Sequence, residues 1–446
     1  MSNLKEILSA REERSLLRKQ ANAEGKAAVS LNLNIPGIPK TDVFYTSFFD
    51  LCKDQLKNWL LANRIFIDEA KEITVNHAAG DFYIVPLQSA AVNIARLKQI
   101  TEQFEQNHAL GRFIDVDVVD ENGQLFSSGK SKLCFYCHSH SAFDCTRSKR
   151  HSVEELRNFQ KKEILAYLKE ERLKFLSGKI CSMAIRSILY ELSLSPKPGL
   201  VDKNGSGIHT DMDFKSFIDS TATISTYFAE LFEKGAECNL QDLNTALPQI
   251  RNTGLRMEKE MFRQTNGTNT QKGIIFLMGI SLFSTGYLLK KSNKFDQEEF
   301  VLTIKTLCNN LVENEFGNKT FPPTHGELCF KKYHTGGIRY EAENGFPTIF
   351  EHSLPVLENE NKTSDISLYK TLLSIMAVLT DTNILYRSDL QTLEQLQEMS
   401  KKALADYSME AYLEIIDFCK LRKISPGGSA DLLSITLFIF LMKTEL

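Results

Sequence analysis

Asp115 and Asp117 lie two positions apart in the run Gly111-Arg112-Phe113-Ile114-Asp115-Val116-Asp117-Val118. In an extended strand, residues two apart project to the same face. Ile114, Val116 and Val118 then face a core, and the two carboxylates share the other side. Paired carboxylates repel unless a cation lies between them. Such oxygen pairs hold Mg²⁺, which in turn holds substrate phosphates. Two solvated carboxylates at a strand edge are the plainer alternative. Cys134 and Cys137 are followed by Cys145 and His151. Three thiols and an imidazole at this spacing fit a zinc site, with His138 and His140 as competing ligands. Three reduced cysteines in a loop fit equally. Arg112, Arg147 and Arg150 are cations that could grip phosphates, or simply form a solvated face.

The second half carries a different set. Lys197 lies between Pro196 and Pro198, after Glu191 and before Asp202. His209, Asp211 and Asp213 follow closely, a density that suits metal or phosphate chemistry, although Asp213 also reads as a helix N-cap. Asn269 and Lys272 precede an apolar helix, whose N-terminus favours an anion. The spacing is not that of a Walker loop. Glu341 and Glu343 give two more carboxylates, and Asp381 another. Gly427 and Gly428 open a last apolar segment. Singly, each of these reads as a cap or a turn.

These residues need elements to position them. Residues 1–20 read as an amphipathic helix, with Leu4, Ile7, Leu8, Leu16 and Leu17 on one side and Arg and Glu on the other. Alternation predicts strands at 28–36, 82–86 and 112–119, with helices at 46–70 and 87–106 between them. Ser152 and Glu155 form a capping box. A helix over 153–176 should follow, ending at Ser177-Gly178. The expected fold class is an α+β N-terminal domain, 1–176, followed by a larger all-α domain, 177–446. That second part should hold helices at 179–192, 214–233, 242–262, 272–290, 297–313, 364–380, 390–404, 408–420 and 429–443.

Composition bounds the function. The chain has 446 residues, 53 Lys plus Arg against 56 Asp plus Glu, and a net charge of −3. That balance argues against bulk binding to nucleic acid or to an anionic membrane. The charged N-terminus lacks a signal peptide's apolar core. The apolar runs 274–289 and 432–442 read as buried helices rather than membrane spans. Nine cysteines without an export signal point to reduced thiols in a cytoplasm.

Residues 8–14 (LSAREER), 31–40 (LNLNIPGIPK), 111–118, 134–145 and 147–156 (RSKRHSVEEL) together resemble the apo-citrate lyase phosphoribosyl-dephospho-CoA transferase family. The resemblance covers roughly residues 1–170. It implies that a Ser of the citrate lyase acyl carrier subunit attacks an activated triphosphate and pyrophosphate leaves. Asp115 and Asp117 would hold Mg²⁺, and Arg112, Arg147 and Arg150 the phosphates. Six further motifs resemble the triphosphoribosyl-dephospho-CoA synthase family: SLSPKPGLVD, HTDMDF, NTQKG, EAENGFP, DTN and PGGSADLL, over about 180–440. This implies that ATP and dephospho-CoA yield triphosphoribosyl-dephospho-CoA and adenine. Asp211, Asp213, Glu341 and Glu343 would then serve metal binding and charge stabilisation, and Lys197 and Lys272 phosphate binding. Gln271 stands where the family prefers His, and a Gln can hydrogen-bond but not transfer a proton. Two alternatives stay open: a transferase with a degenerate synthase half, and a zinc-bearing module that binds the carrier.

Overall fold

The computed structural model describes residues 2–446 except 23, 128, 130, 131, 293, 317–324 and 361. The chain divides into two compact units, Met1–Glu171 and Arg172–Leu446.

The first unit is mixed. Helices α1 (Ser2–Ala21), α2 (Val43–Ala62), α3 (Ile94–Asn107) and α4 (Ala142–Arg147) accompany strands β1 (Ala28–Leu33), β2 (Ile73–His77), β3 (Gly80–Pro86), β4 (Ile114–Val119) and β5 (Leu125–Phe126). The strands form one antiparallel sheet in the order β2-β3-β1-β4-β5. Its main face buries Val29, Leu31, Tyr83, Val85, Ile114, Val116 and Val118 against Phe48, Leu56, Leu97 and Phe104 of α2 and α3. Apolar side chains on alternate strand positions leave water together, at about 25 cal/mol per Å². The other face is smaller: Ala28, Phe82, Ile84 and Val119 pack beneath Leu17 and Ala21 of α1.

Local chemistry sets the element ends. The Asp42 side chain accepts from Tyr45 N and starts α2 there. The helix stops at Ala62, short of the expected 70, because the chain then turns into the strand β2. Asn93 caps α3 through Arg96 N, so the helix begins at 94 rather than 87. Strand β2 escaped the sequence reading: in Ile73-Thr74-Val75-Asn76-His77 only two positions are strongly apolar. A two-residue turn pairs His77 with Gly80 and makes it the edge strand.

A single helix of 41 residues, α5 (Val153–Ser193), replaces the two expected on either side of Ser177-Gly178. A glycine inside a helix costs only about 1 kcal/mol, and burial of Leu176, Ile180, Met183 and Ile188 exceeds that cost.

The second unit is all-helical. It comprises α6 (Phe214–Ser225), α7 (Phe228–Glu237), α8 (Leu247–Gln264), α9 (Lys272–Leu289), α10 (Gln297–Leu307), α11 (Leu311–Phe316), α12 (His325–Tyr333) and α13 (Ile338–Glu343). A π turn at Thr348–Ser353 leads to α14 (Leu354–Glu360), α15 (Asp365–Met376), α16 (Thr382–Arg387), α17 (Leu390–Ala405), α18 (Met409–Arg422) and α19 (Gly427–Glu445). The expected helix 214–233 is broken near Thr226-Tyr227 into α6 and α7, and 242–262 is a 3-10 turn followed by α8. The two apolar helices, α9 and α19, are mostly buried, 78% and 72% over 18-residue stretches. They are its central helices.

Close helix contact needs residues without side chains. Gly235 of α7 faces the backbone of Phe283, and Gly286 of α9 faces the backbone of Phe232. A Cβ at either position would collide with a carbonyl.

Candidate functional site

In β4 the side chains alternate: Ile114, Val116 and Val118 are buried, while Asp115 and Asp117 are half-buried on the face beneath α1. Asp115 lies cross-strand from Asn32 and Asp117 from Ser30. Each carboxylate faces a cation. Lys132 Nζ is 3.2 Å from Asp115 Oδ1, and Arg18 Nη2 is 3.7 Å from Asp117 Oδ2. Burial, with Asp115 adding to it, raises the Asp117 pKa above the ordinary carboxylate range. Three sequence motifs meet here. Arg14 Nη1 donates to Asn32 Oδ1 at 3.5 Å, and Asn32 Nδ2 donates to Asp115 Oδ2 at 3.4 Å.

The helix α1 that delivers these arginines is turned differently from the expectation. Leu8 and Leu16 are exposed, whereas Arg14 and Arg18 lie over the Phe82 ring, 5.0 and 5.5 Å from its centroid. Leu4 falls outside the described side chains. An apolar arginine stem can cover a ring while its head finds acceptors, so the buried stripe is not simply the leucine stripe. Arg14 Nη2 donates to the carbonyls of Ala79 and Gly80, each at 2.9 Å.

The cysteines form a second constellation. Ligand atoms of Cys134, Cys137, Cys145 and His151 all lie within 4.8 Å of one another. Among the described residues, this is the one group of three or more such side chains drawn together in this way. His138 and His140 are not in it. Cys137 and Cys145 sulfurs are 3.6 Å apart. A tetrahedral zinc with bonds of about 2.3 Å needs sulfurs roughly 3.8 Å apart, so the donors fit. The Ser139 backbone N–H, with His151, pulls Cys137 down to about 5, so it is a thiolate at neutral pH. The loop is fixed from below: Phe135 packs on Phe113 and Phe159, and Tyr136 meets the His151 ring at 4.9 Å. Ser141 caps α4, which presents Cys145. Arg112 donates its Nε to Leu133 O at 3.1 Å, at the root of this loop. Arg147 and Arg150 are exposed beside it.

In the second unit, Lys197 is almost fully buried and donates to Glu191 Oε1 at 2.5 Å and to Glu191 O at 3.0 Å. Asp202 accepts from Lys197 N at 2.8 Å. Tyr369 and Tyr412 hold the loop through the carbonyls of Ser195 and Pro196, at 2.6 and 3.1 Å. Asp381 accepts from Asn383 N at 2.9 Å and from Ser429 N at 3.0 Å. Gly427 lies against Asn383 and Gly428 against Asp381, where a larger residue would intrude. Asp431 lies against Gly273. Burial, then Glu191 and Asp381, pushes its pKa well above the ordinary value. His209 Nε2 is 3.0 Å from Ser425 Oγ. Segments near residues 195, 209, 273, 381 and 429 therefore converge.

The other expected residues are engaged locally. Asp213 caps α6, accepting from Ser216 N at 2.8 Å. Asp211 is exposed, and its carbonyl accepts from Thr268 Oγ1 at 3.1 Å. Asn269 Oδ1 accepts from Lys272 N at 3.2 Å, and Lys272 Nζ pairs with Glu258 at 2.9 Å. Glu341 is buried and accepts from Thr348 Oγ1 at 2.7 Å. Glu343 accepts from Val312 N at 3.3 Å. Gln271 is buried: Ser220 Oγ donates to its Oε1 at 2.6 Å, and its Nε2 donates to Thr221 Oγ1 at 2.9 Å.

With both sets of residues located, the chain can be compared with known proteins. Residues 2–167 match the family of apo-citrate lyase phosphoribosyl-dephospho-CoA transferases, and residues 177–446 match that of ATP:dephospho-CoA triphosphoribosyl transferases. A protein from Leuconostoc mesenteroides subsp. cremoris named Protein CitXG is 31% identical over 98% of this chain and 96% of its own length. The chain belongs to the CitXG family. A Protein CitXG from Haemophilus influenzae is 29% identical over 98% of this chain and 95% of its own length. A probable 2-(5''-triphosphoribosyl)-3'-dephosphocoenzyme-A synthase 1 from Salmonella choleraesuis is 34% identical over 59% of this chain and 90% of its own length. As a CitXG member, the chain is a bifunctional transferase that makes and attaches the citrate lyase prosthetic group.

Against this family background, sequence reasoning passed over Arg14, Arg18, Asn32 and Lys132 in the first unit. In the second it left Glu191, Asp381 and Asp431 without a role. The signal for the arginines was their spacing: 11, 14 and 18 form one helical stripe. On sequence alone they stand with Glu on the helix side opposite the leucines.

Proposed function

We propose that the first unit performs nucleotidyl transfer at Asp115 and Asp117, and that the second forms the triphosphoribosyl intermediate where the segments of Lys197, Asp381 and Asp431 converge. In this reading the domains run 1–176 and 177–446. The reading rests on one observation above all: motifs distant in sequence meet in each unit, through Arg14, Asn32 and Asp115 in one and through Asp381, Ser429, Asp431 and Gly273 in the other.

In the transfer, the carrier's Ser hydroxyl oxygen attacks the phosphorus nearest the ribose. The bond to pyrophosphate breaks, and the hydroxyl proton passes to a base. Mg²⁺, when bound, neutralises developing charge on the phosphates. Asp115 and Asp117 would supply paired carboxylate oxygens for it, in exchange for their present partners Lys132 and Arg18. Arg112, Arg147 and Arg150 remain candidates for phosphate contact. Cys134, Cys137, Cys145 and His151 would hold a structural zinc.

In the second unit, the 2′-hydroxyl oxygen of dephospho-CoA bonds to C1 of the ATP ribose as the bond from C1 to the adenine nitrogen breaks; the hydroxyl gives its proton to a base and adenine takes one from an acid. Positive charge develops on the ribose, and nearby carboxylates stabilise it. Glu191 is suited to this, and Asp381 and Asp431, which burial inclines towards the protonated form, are suited to giving departing adenine its proton. Asp211 and Asp213 lie on an exposed loop that a metal-bound triphosphate could reach. Lys272, Asn269, Gly427 and Gly428 stand at helix N-termini that favour phosphate. Glu341 and Glu343 take positioning roles. Gln271 is committed to Ser220 and Thr221, which supports a hydrogen-bonding rather than a proton-transfer role.

The partners in this reading are ATP, dephospho-CoA and the citrate lyase acyl carrier. The nine free cysteines suit a reducing, cytoplasmic setting. The test is incubation with ATP, dephospho-CoA and Mg²⁺, followed by mass analysis. Free adenine with triphosphoribosylated dephospho-CoA is expected. Intact ATP would leave transfer as the only activity, to be assayed with preformed intermediate and apo carrier.

A further inference from the structure

We propose that Arg11, Arg14 and Arg18 of α1, with Lys40, form the polyphosphate subsite of the first unit, where the leaving pyrophosphate is held beside Asp115 and Asp117. The proposal rests on the transfer reading above and gives that reaction a place for its leaving group.

Cations pack together here with few anions beside them. Arg14 and Arg18 share the face of Phe82. The Arg14 guanidinium is pulled down to about 10, by burial first and then by Arg18 and Arg11. Lys40 lies beside Arg14 at Gly80; its ammonium donates to the Ile35 carbonyl, and burial, then Arg11, Arg157 and Arg14, lowers its pKa. Like charges this close disfavour one another unless an anion joins them. The carboxylates coupled to the stripe are Asp81, which acts on Arg14, and Asp117, 3.7 Å from Arg18.

The arginines differ in how much of each is already used. Arg14 spends its donors on His77 Nε2, on Asn32 and on the carbonyls of Ala79, Gly80 and Asp81, so it anchors the stripe. Arg11 is exposed and has no hydrogen bond or ion pair among the described residues. Arg18 Nε is buried without a partner. Ser30 lies cross-strand from Asp117; it is 1% exposed, and its Oγ is also unpartnered. Buried donors without a protein partner need an acceptor from elsewhere, and a bound oxyanion is one source. An oxyanion with several oxygens fits this pattern: planar guanidinium groups bind phosphate in pairs of hydrogen bonds. The bridge Arg14–Asn32–Asp115 ties the stripe to the carboxylates. The leaving group would thus lie next to the reacting phosphorus.

The test uses the full chain with an unreactive ATP analogue saturating the second unit. Inorganic pyrophosphate is titrated calorimetrically into wild type, Arg11→Ala, Arg18→Ala, and the pair Arg147→Ala/Arg150→Ala. At least tenfold weaker binding in Arg11→Ala and Arg18→Ala, with a smaller loss in the double variant, is expected. Absence of binding by wild type overturns the proposal. So does the reverse order, with Arg147 and Arg150 controlling affinity. Circular dichroism and thermal unfolding of each variant report whether its first unit is folded. A wild-type protein that binds pyrophosphate but leaves apo carrier unmodified would overturn the transfer reading while the subsite stood.

Discussion

At the scale of single residues, charge placement decides most outcomes. Asp115→Asn or Asp117→Asn keeps the shape of β4 but removes a charge that a phosphate-bound cation needs. Carrier modification should fall by roughly 10²-fold or more, with adenine release unchanged in the same sample. The Lys197–Glu191 pair lies in the interior of the second unit. Lys197→Met leaves a buried carboxylate without its cation and should destabilise this unit by about 3–5 kcal/mol, read from denaturant unfolding. Adding Glu191→Leu should restore much of that loss. Asp431 works in the opposite direction. Burial and two neighbouring carboxylates raise its folded pKa, so the folded state binds the proton more tightly than the unfolded chain. That preference is fully present below the ordinary aspartate value and is lost as pH rises through the raised one. Asp431→Asn should therefore raise the unfolding midpoint at pH 7 but not at pH 3, while adenine release is lost. A neutral-pH midpoint at or below wild type would contradict this.

At the scale of elements, the close crossing of α7 and α9 depends on two glycines. Gly235→Val places side-chain atoms where the Phe283 carbonyl lies, and the helices must separate. A loss of about 1–3 kcal/mol in the second unit is expected, measurable as a lower thermal midpoint. The conformation of α1 follows from a different balance. Its leucines looked like the buried stripe, yet Leu16 is 65% exposed while Arg14 and Arg18 cover Phe82. One sheet face offered both an aromatic ring and free carbonyls. Arginine satisfies both, and leucine satisfies only the first. The cysteine loop shows positioning by packing: Phe135, Tyr136 and the Ser141 cap direct the thiols towards His151.

At the scale of the whole molecule, metal and folding should be linked in the first unit. Zinc analysis should give one equivalent per chain, lost in Cys134→Ser. Chelation should lower this unit's unfolding midpoint by more than about 5 °C, because metal binding energy is folding energy. A metal-free protein with an unchanged midpoint would remove zinc from the account. The sequence alone determined the fold class, because period-two alternation and period-3.6 amphipathicity separate a sheet-bearing first part from a helical second part. It also determined that Asp115 and Asp117 share a face, since strand geometry leaves no other arrangement. It did not determine where the long helix ends: Ser177-Gly178 is a breaker locally, and only the packing of Leu176 and Ile180 carries the helix through. Nor did it choose His151 over His138 and His140, or bring Asp381 to Ser429 and Asp431 to Gly273. Those are contacts between segments up to 158 positions apart, from Gly273 to Asp431. Local propensity carries no information about them, because they exist only once the cores have closed.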